Sequence, residues 1–120
     1  MHHVARFRAG RFSSNLFEAM INEGLADHFS IEVAGTDPPI WSRALTAQQL
    51  ATWSERARAQ WFDSNYNHDA WFFGAAPPIP RWAGYSIGFD LVGQFLAADP
   101  SRRPSKLHAE PAASFIPASS

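Results

Sequence analysis

Three side chains near the start of the chain, those of His3, Glu23 and Asp27, are of the kinds that bind metal ions and activate water. The chain contains no cysteine, so thiolate metal sites, disulfides and cysteine nucleophiles are excluded. Histidine, aspartate and glutamate are then the strong metal ligands it offers. Nineteen residues separate His3 from Glu23, whereas Glu23 and Asp27 are one helical turn apart and share a face. A metal bound by His3 and Glu23 would therefore be held between two elements.

The acidic pair lies in a segment that we predict to be a long helix. Asn15 followed three residues later by Glu18 is a capping-box-like start, and Gly35 marks the end of the helix after Val33. Before it, residues 1–9 have the pattern of a helix that lacks a capping residue in front. Such an abrupt beginning suits a helix whose first turns are absent.

Two more helices are predicted downstream. Thr46 and Gln49 form a second capping box, after which leucine and tryptophan side chains recur at helical spacing. A last helix is predicted over residues 82–98, in which Gly84 and Gly88 lie one turn apart and allow another backbone to approach closely. The predicted fold class is therefore mainly α.

The remaining segments lack helical periodicity. Residues 63–80 contain asparagine, glycine and several prolines, which predicts a long loop ordered by its packed rings. Residues 99–120 are rich in proline, alanine and serine and are predicted to form a disordered tail. That leaves residues 1–98 as a single domain, with the five tryptophans and ten phenylalanines expected in its core.

Charge and hydropathy argue against two classes of partner. The formal net charge of −1 argues against nucleic-acid binding, and Arg6, Arg8 and Arg11 are expected to form a solvated face. No stretch approaches the roughly 20 apolar residues that a membrane-spanning helix needs. The first residues carry charges where a secretory signal would be apolar. The sequence thus predicts a soluble, cytoplasmic chain without nucleic-acid or membrane partners.

The acidic helix resembles a known zinc-binding element. Residues 22–27 read Asn-Glu-Gly-Leu-Ala-Asp, similar to the Asn-Glu-x-x-x-Asp helix of thermolysin-like zinc peptidases, the gluzincins. In that class a His-Glu-x-x-His motif supplies two ligands and the general base. The separation of His3 from Glu23 resembles that of its shorter members. The resemblance implies that Glu23 ligates zinc and that Asp27 orients a ligand histidine.

A closer resemblance covers most of the chain. In order along the sequence, four blocks resemble the predicted zinc-dependent proteases called domain of unknown function 2268 (DUF2268). They are His-His-Val-Ala-Arg at 2–6, Glu-Gly-Leu-Ala-Asp-His-Phe at 23–29, Trp-Phe-Phe-Gly at 71–74 and Pro-Arg-Trp-Ala-Gly-Tyr-Ser-Ile-Gly at 80–88. The similarity extends from His2 to about Phe95. It implies a zinc-dependent hydrolase of peptides or proteins, in which His3 is the second zinc ligand and Glu23 the third.

The sequence departs from the family pattern at its beginning. Met1 stands where the residue before the family's His-His pair would be, so the first ligand histidine and the catalytic glutamate would lie just upstream. A catalytic zinc site normally has three protein ligands and one open position, so with two ligands left we expect this chain to bind zinc weakly or not at all. We therefore expect the C-terminal helical subdomain of a zincin-like α+β metallopeptidase, inactive as given because half of its catalytic motif is missing.

Several side chains have a second interpretation. His2 and His3 could be a tag remnant or exposed residues, and Glu23 on its own could be a solvated helix position. Tyr85 and Arg81 could stabilise the oxyanion formed when water attacks a peptide carbonyl, although Tyr85 could equally be a core ring.

A second function stays open from the sequence. The chain could be a non-catalytic helical interaction module or a truncated gene product that binds a partner through exposed apolar surface. The coding DNA upstream of Met1 would separate the two functions. An in-frame His-Glu there would indicate an intact enzyme with a wrong start, whereas a stop codon or frameshift would favour the interaction module.

Overall fold

The computed structural model describes residues 15–35, 37–107 and 110–116. Within these ranges the chain contains no strand and forms four α-helices, namely α1 (Leu16–Ala34), α2 (Ala47–Arg58), α3 (His68–Phe73) and α4 (Ala83–Ala97). Three short 3-10 helices cover Ile40–Arg43, Pro104–Lys106 and Ala112–Phe115. The prediction of a mainly α chain is confirmed for this part. The predicted N-terminal helix, which carries His3, lies outside the described residues.

Helix α1 begins and ends at the residues that the sequence indicates. The side chain of Asn15 accepts a hydrogen bond from the Glu18 amide at 2.8 Å, which satisfies one of the first N–H groups of the helix. At the other end Gly35 adopts φ 66° and its N–H bonds the carbonyl of Ile31. The capping box predicted at the start of α2, between Thr46 and Gln49, is also present.

Helices α1 and α4 cross in close backbone contact because glycines lie at the crossing, Gly24 on α1 and Gly88 on α4. A Cβ atom on Gly24 would overlap the carbonyl of Gly88, and one on Gly88 would overlap the carbonyl of Met20. Gly84, one turn earlier, faces the ring of Phe72 on α3 instead. The predicted close approach at Gly88 is thus made to the helix that carries Glu23.

The segment predicted as a long loop contains the helix α3. Asn67 caps its start by accepting from the amide of Ala70 at 3.0 Å, and Gly74 ends it with φ 72°. Trp71 and Phe72 are buried in the core. Six residues are too few to show a helical period, so the sequence signal was limited to the Asn67 and Gly74 caps.

The composition of residues 99–120 predicts a disordered tail, whereas the described part of this stretch packs on the helices. Leu107 and Phe115 are buried, and the Phe115 ring lies 4.4 Å from that of Phe95 between centroids. The Ser105 amide and hydroxyl both donate to the carboxylate of Glu32 on α1. A few large apolar side chains outweigh the polar composition here. The domain boundary at residue 98 stays a prediction.

The aromatic side chains divide between core and surface. The rings of Phe17, Trp61, Trp71, Phe72 and Phe115 are buried, as expected. Trp41, Phe62 and Phe73 are instead exposed by 39%, 66% and 53% of their surface. Among the described residues no helix is long and apolar enough to span a membrane.

Candidate functional site

The second half of α1 forms one side of an open cleft of about 590 Å³. Glu23 and Asp27 contribute the carboxylates that line it, and we call this part the acidic end. The residues walling the rest, which we call the apolar part, include Val33, Trp41, Phe73 and Trp82. Tyr85, at the start of α4, lines the same cleft. Three candidates from the sequence, Glu23, Asp27 and Tyr85, are therefore brought together.

The helical repeat of α1 orders this lining. Glu23, Asp27, Ser30 and Ala34 follow one another at intervals of three or four residues and so lie along one face. At 1.5 Å per residue the lining runs for about 16 Å along the helix axis. Ala26, Ser30 and Ala34 have small side chains, which leave room between α1 and the opposite rings.

The carboxylate of Asp27 is buried and is held by two donors from the 3-10 helix Ile40–Arg43. The Ser42 hydroxyl, itself buried, donates to Oδ2 at 2.6 Å. The indole N–H of Trp41 donates at 3.1 Å to Oδ2 and at 3.3 Å to Oδ1. Burying a carboxylate is costly unless such donors compensate for lost water. The orientation of Asp27 therefore depends on a segment fifteen residues further along the chain.

Helix α4 fixes the position of that segment. The Ser86 hydroxyl donates to the carbonyl of Trp41 at 2.8 Å and accepts from the amide of Ala44 at 3.0 Å. Ser86 is buried, and both hydrogen bonds are at least partly buried. Asp27 on α1 is thus connected through Trp41 to α4.

Tyr85 lies in the negative field of the two carboxylates. Burial first, and then the charges of Glu23 and Asp27, raise the pKa of Tyr85 from 10.0 to about 12. Its ring packs edge-on against that of Phe72 at 5.0 Å and lies 6.3 Å from that of Trp41, both between centroids. The phenol is therefore protonated at neutral pH, and its O–H is a hydrogen-bond donor.

Two other polar candidates lie differently. Arg81 is exposed, and its guanidinium stacks 4.2 Å above the centre of the Trp82 ring. His28 packs against α4, where its Nε2 lies 2.9 Å from the carbonyl oxygen of Phe89 and its ring stacks on that of Phe89 at 4.0 Å. Burial lowers the pKa of His28, which favours the neutral imidazole. His28 is thus a packing residue.

The described residues supply part of a zinc site. Zinc in proteins takes nitrogen, sulfur and carboxylate-oxygen ligands, and a catalytic site has three of them from the protein. Within residues 15–35, 37–107 and 110–116 no group of three histidine, cysteine, aspartate or glutamate side chains is assembled. The acidic end offers Glu23, a carboxylate of the correct chemistry, beside Asp27. His3 lies outside the described residues, so its distance from Glu23 is not defined.

Sequence reasoning missed the residues that complete the cleft. Trp41 and Ser42 follow Pro38-Pro39 in a connection without periodicity, and Phe73 was expected in the core. The available signal was weak: a tryptophan in a loop is often functional because loops carry binding residues. Their hydrogen bonds to Asp27 depend on tertiary packing, which no local pattern encodes.

A family model described as "Predicted Zn-dependent protease (DUF2268)" matches residues 1–117. No curated protein and no solved structure matches the chain.

Proposed function

The chain belongs to the DUF2268 family of predicted Zn-dependent proteases, and from this we propose that its cleft serves zinc-dependent hydrolysis of peptides or proteins. The observation that carries the proposal is that Tyr85, far along the chain, lines the same cleft as Glu23 and Asp27, which are one helical turn apart. Each lies in one of the family blocks, at 23–29 or 80–88. In this proposal the helices are the C-terminal helical part of a zincin-like α+β peptidase of the gluzincin type.

We assign the metal to Glu23 together with His3. The Glu23 carboxylate lines the cleft, where a bound ion would be accessible to substrate. Such an ion would supply Lewis-acid chemistry, polarising a peptide carbonyl and making water nucleophilic at neutral pH. Asp27, held by Trp41 and Ser42, would orient a ligand histidine by accepting a hydrogen bond from its ring.

Tyr85 is proposed to stabilise the negative charge that develops on the substrate oxygen. Such a role needs a donor that keeps its proton at the working pH. The place of Tyr85 in the cleft beside Glu23 supports this role, and its phenol, whose pKa is about 12, keeps its proton throughout the physiological range. Arg81 is not assigned a role, since it stacks on Trp82 and does not line the cleft.

We assign the general base to none of the described residues that line the cleft. The sequence contains no His-Glu-x-x-His, the motif that supplies base and ligands in zinc peptidases. We therefore propose that the 120 residues alone hydrolyse peptides at a rate at least about 100-fold lower than that of a protein with the base. Zinc-dependent cleavage by this chain at the rates of complete zinc peptidases would refute that part of the proposal.

Zinc titration of point variants tests the ligand assignment. We compare the chain with Glu23→Gln, which keeps the size of the side chain and removes its charge, and with His3→Ala. Glu55→Gln is the matched control, because Glu55 is an exposed glutamate on α2. Calorimetric titration with zinc at neutral pH is expected to show affinity weakened roughly tenfold or more by either ligand variant.

The control defines the outcome. Glu55→Gln should bind zinc as the unchanged chain does, and all variants should retain the same far-ultraviolet circular dichroism. Zinc binding that survives Glu23→Gln unchanged would remove Glu23 from the site. Equal weakening by Glu55→Gln would show non-specific binding to surface carboxylates.

A further inference from the structure

A second cleft shares a wall with the first. The 3-10 helix Ile40–Arg43 contributes Trp41 to the first cleft, whereas it contributes Ser42 and Arg43 to the second. The volume of the second cleft is about 480 Å³, which lies in the usual range for small-ligand pockets. Helix α4 supplies further lining residues. Neither the zinc assignment nor the role proposed for Tyr85 makes use of this cleft.

The charged side chains of the described lining have opposite signs. Arg43 is exposed on the 3-10 helix, and Asp90 is half-buried on α4. In the part of the chain that the structure describes, these two residues are not paired with each other. Asp90 accepts a hydrogen bond from the Gln94 amide at 2.8 Å, a neutral partner that leaves its charge uncompensated. The lining therefore offers one cation and one anion to a ligand.

Apolar side chains make up much of the remaining lining. Leu45, Leu50 and Phe89 are half-buried there, and the two leucines also pack against the hydrophobic core. A ligand side chain that covered them would remove further apolar surface from water, which favours binding. The second cleft thus combines apolar contact with two opposite charges.

The two serines of the second cleft already use their hydroxyl protons. Ser42 donates to Asp27, and Ser86 donates to the carbonyl of Trp41. Because a hydroxyl has one proton to donate, recognition of an anionic group in this cleft falls to Arg43. The same two serines hold Asp27 and Trp41 in place, so a ligand that contacts them also affects the first cleft.

We infer that the second cleft binds a small zwitterion with an apolar side chain, either a free amino acid such as leucine or a short peptide. Its carboxylate pairs with the Arg43 guanidinium and its ammonium group with the Asp90 carboxylate. Its side chain packs on the leucines and the phenylalanine of the lining. Peptide hydrolysis releases molecules of this class, so under the proposed function the site senses products. The binding itself does not depend on that function.

A titration followed by nuclear magnetic resonance tests the recognition. Five ligands are added to the nitrogen-15-labelled full chain in a chelator-containing buffer: leucine, leucyl-leucine, glycine, N-acetylleucine, which lacks the ammonium group, and leucinamide, which lacks the carboxylate. Glycine should bind at least roughly threefold more weakly than leucine, because it has no side chain to bury. Each single-charge analogue should bind at least roughly threefold more weakly than leucine. The order of leucine and leucyl-leucine identifies which of the two sizes fits.

Matched variants locate each charge. Arg43→Gln should weaken leucine at least roughly threefold without weakening leucinamide, which has no carboxylate for Arg43 to bind. Asp90→Asn should weaken leucine similarly without weakening N-acetylleucine. Arg58→Gln and Asp63→Asn, at exposed positions that line neither cleft, are the controls and should leave leucine binding unchanged.

Each departure from these results overturns a stated part. Equal binding of leucine and its two single-charge analogues would overturn the pairing with Arg43 and Asp90. Equal binding of leucine and glycine would overturn the apolar contact. Weakening by Arg58→Gln as large as that by Arg43→Gln, or no saturable shift with any of the five ligands, would overturn the inference as a whole.

The indole resonance of Trp41 tests the link between the two clefts. The Trp41 N–H donates to Asp27, which also accepts from Ser42, so a ligand in contact with Ser42 should shift this resonance. The resonance is assigned by its disappearance in Trp41→Phe. If it stays in place at saturating leucine, the link to the first cleft is wrong.

Failure of this inference and failure of the proposed function have different signatures. The leucine titrations are made with metal chelated, whereas the ligand assignment is measured by zinc titration of Glu23→Gln. Leucine binding that depends on Arg43, together with zinc affinity unaffected by Glu23→Gln, would remove the zinc assignment and leave the second site. Absent leucine binding with Glu23-dependent zinc affinity would do the reverse.

Discussion

At the scale of single residues, Asp27 shows how the cleft stabilises a buried carboxylate. The hydroxyl of Ser42 and the indole of Trp41 both donate to it, and Ser42 is as buried as Asp27. The spacing of Glu23 and Asp27 could be recognised from the sequence because a helix repeats every 3.6 residues. The two donors could not, since they meet Asp27 only after α1 and the following segment pack together.

Replacing Asp27 by asparagine should destabilise the fold. Asparagine is neutral and its amide nitrogen donates, so one of the two donors loses its acceptor and the other loses the acceptor's charge. The free energy of unfolding should therefore fall by about 2 kcal/mol. Urea denaturation measures it, with Asp37→Asn on an exposed loop as the control. A loss no larger than that of the control would show that Trp41 and Ser42 do not depend on the Asp27 charge.

Tyr85 should be the tyrosine that ionises last as the pH rises. Its pKa of about 12 means that the folded chain keeps a proton which the unfolded chain releases near pH 10, so the stability that this group contributes is full below pH 10 and is lost as the pH rises toward 12. Tyrosinate absorbance should show a late step that Tyr85→Phe removes and Tyr66→Phe retains. A late step that persists in Tyr85→Phe would contradict the burial and charge described here.

At the scale of elements, the helix caps could be predicted from the sequence, whereas the contacts between helices could not. The starts of α1 and α2 follow from Asn15 and from Thr46 with Gln49, whose side chains bond backbone groups only three residues away. Helix α3 was not predicted, because the segment between its Asn67 and Gly74 caps is too short to show periodicity. Gly84 and Gly88 predicted that another backbone approaches α4 closely. Which backbone approaches depends on the tertiary fold and could not be predicted.

Two glycines of α4 should respond to alanine with opposite signs. At Gly88 the new methyl group would overlap the Met20 backbone, so the helices must separate and stability should fall by about 3 kcal/mol. At Gly93 the nearest atom would be the His28 ring at 3.6 Å, an ordinary contact, and stability should rise by about 0.5–1 kcal/mol. Thermal denaturation of both variants measures the two changes in stability. Equal effects would mean that α1 and α4 do not cross at Gly88.

At the scale of the whole molecule, a mainly helical fold could be predicted and the cleft could not. Helical character is distributed along the chain in caps and apolar repeats, each of which is local. The cleft combines α1, the segment around Trp41, the end of α3 around Phe73 and the start of α4 at Tyr85. Its shape therefore depends on contacts between residues up to 62 positions apart, from Glu23 to Tyr85.

The C-terminal stretch should contribute to the stability of the whole. Phe115 is 2% exposed and packs on Phe95, so Phe115→Ala should lower the free energy of unfolding by about 3–4 kcal/mol. Ser114→Ala, at an exposed neighbour, is the matched control and should change it little. Guanidinium denaturation provides the measurement. An unchanged denaturation midpoint in Phe115→Ala would contradict the packing of Phe115 and support the disordered tail that the composition predicts.

The central claim is that this chain contributes Glu23 to a zinc site in the cleft. The most direct test is diffraction from zinc-loaded crystals at wavelengths on either side of the zinc absorption edge, which locates the ion by its anomalous signal. We predict a peak about 2.0–2.2 Å from a carboxylate oxygen of Glu23, the usual zinc–oxygen distance. A zinc peak bound elsewhere, such as at His68 and Asp69, with none at Glu23, would contradict the claim.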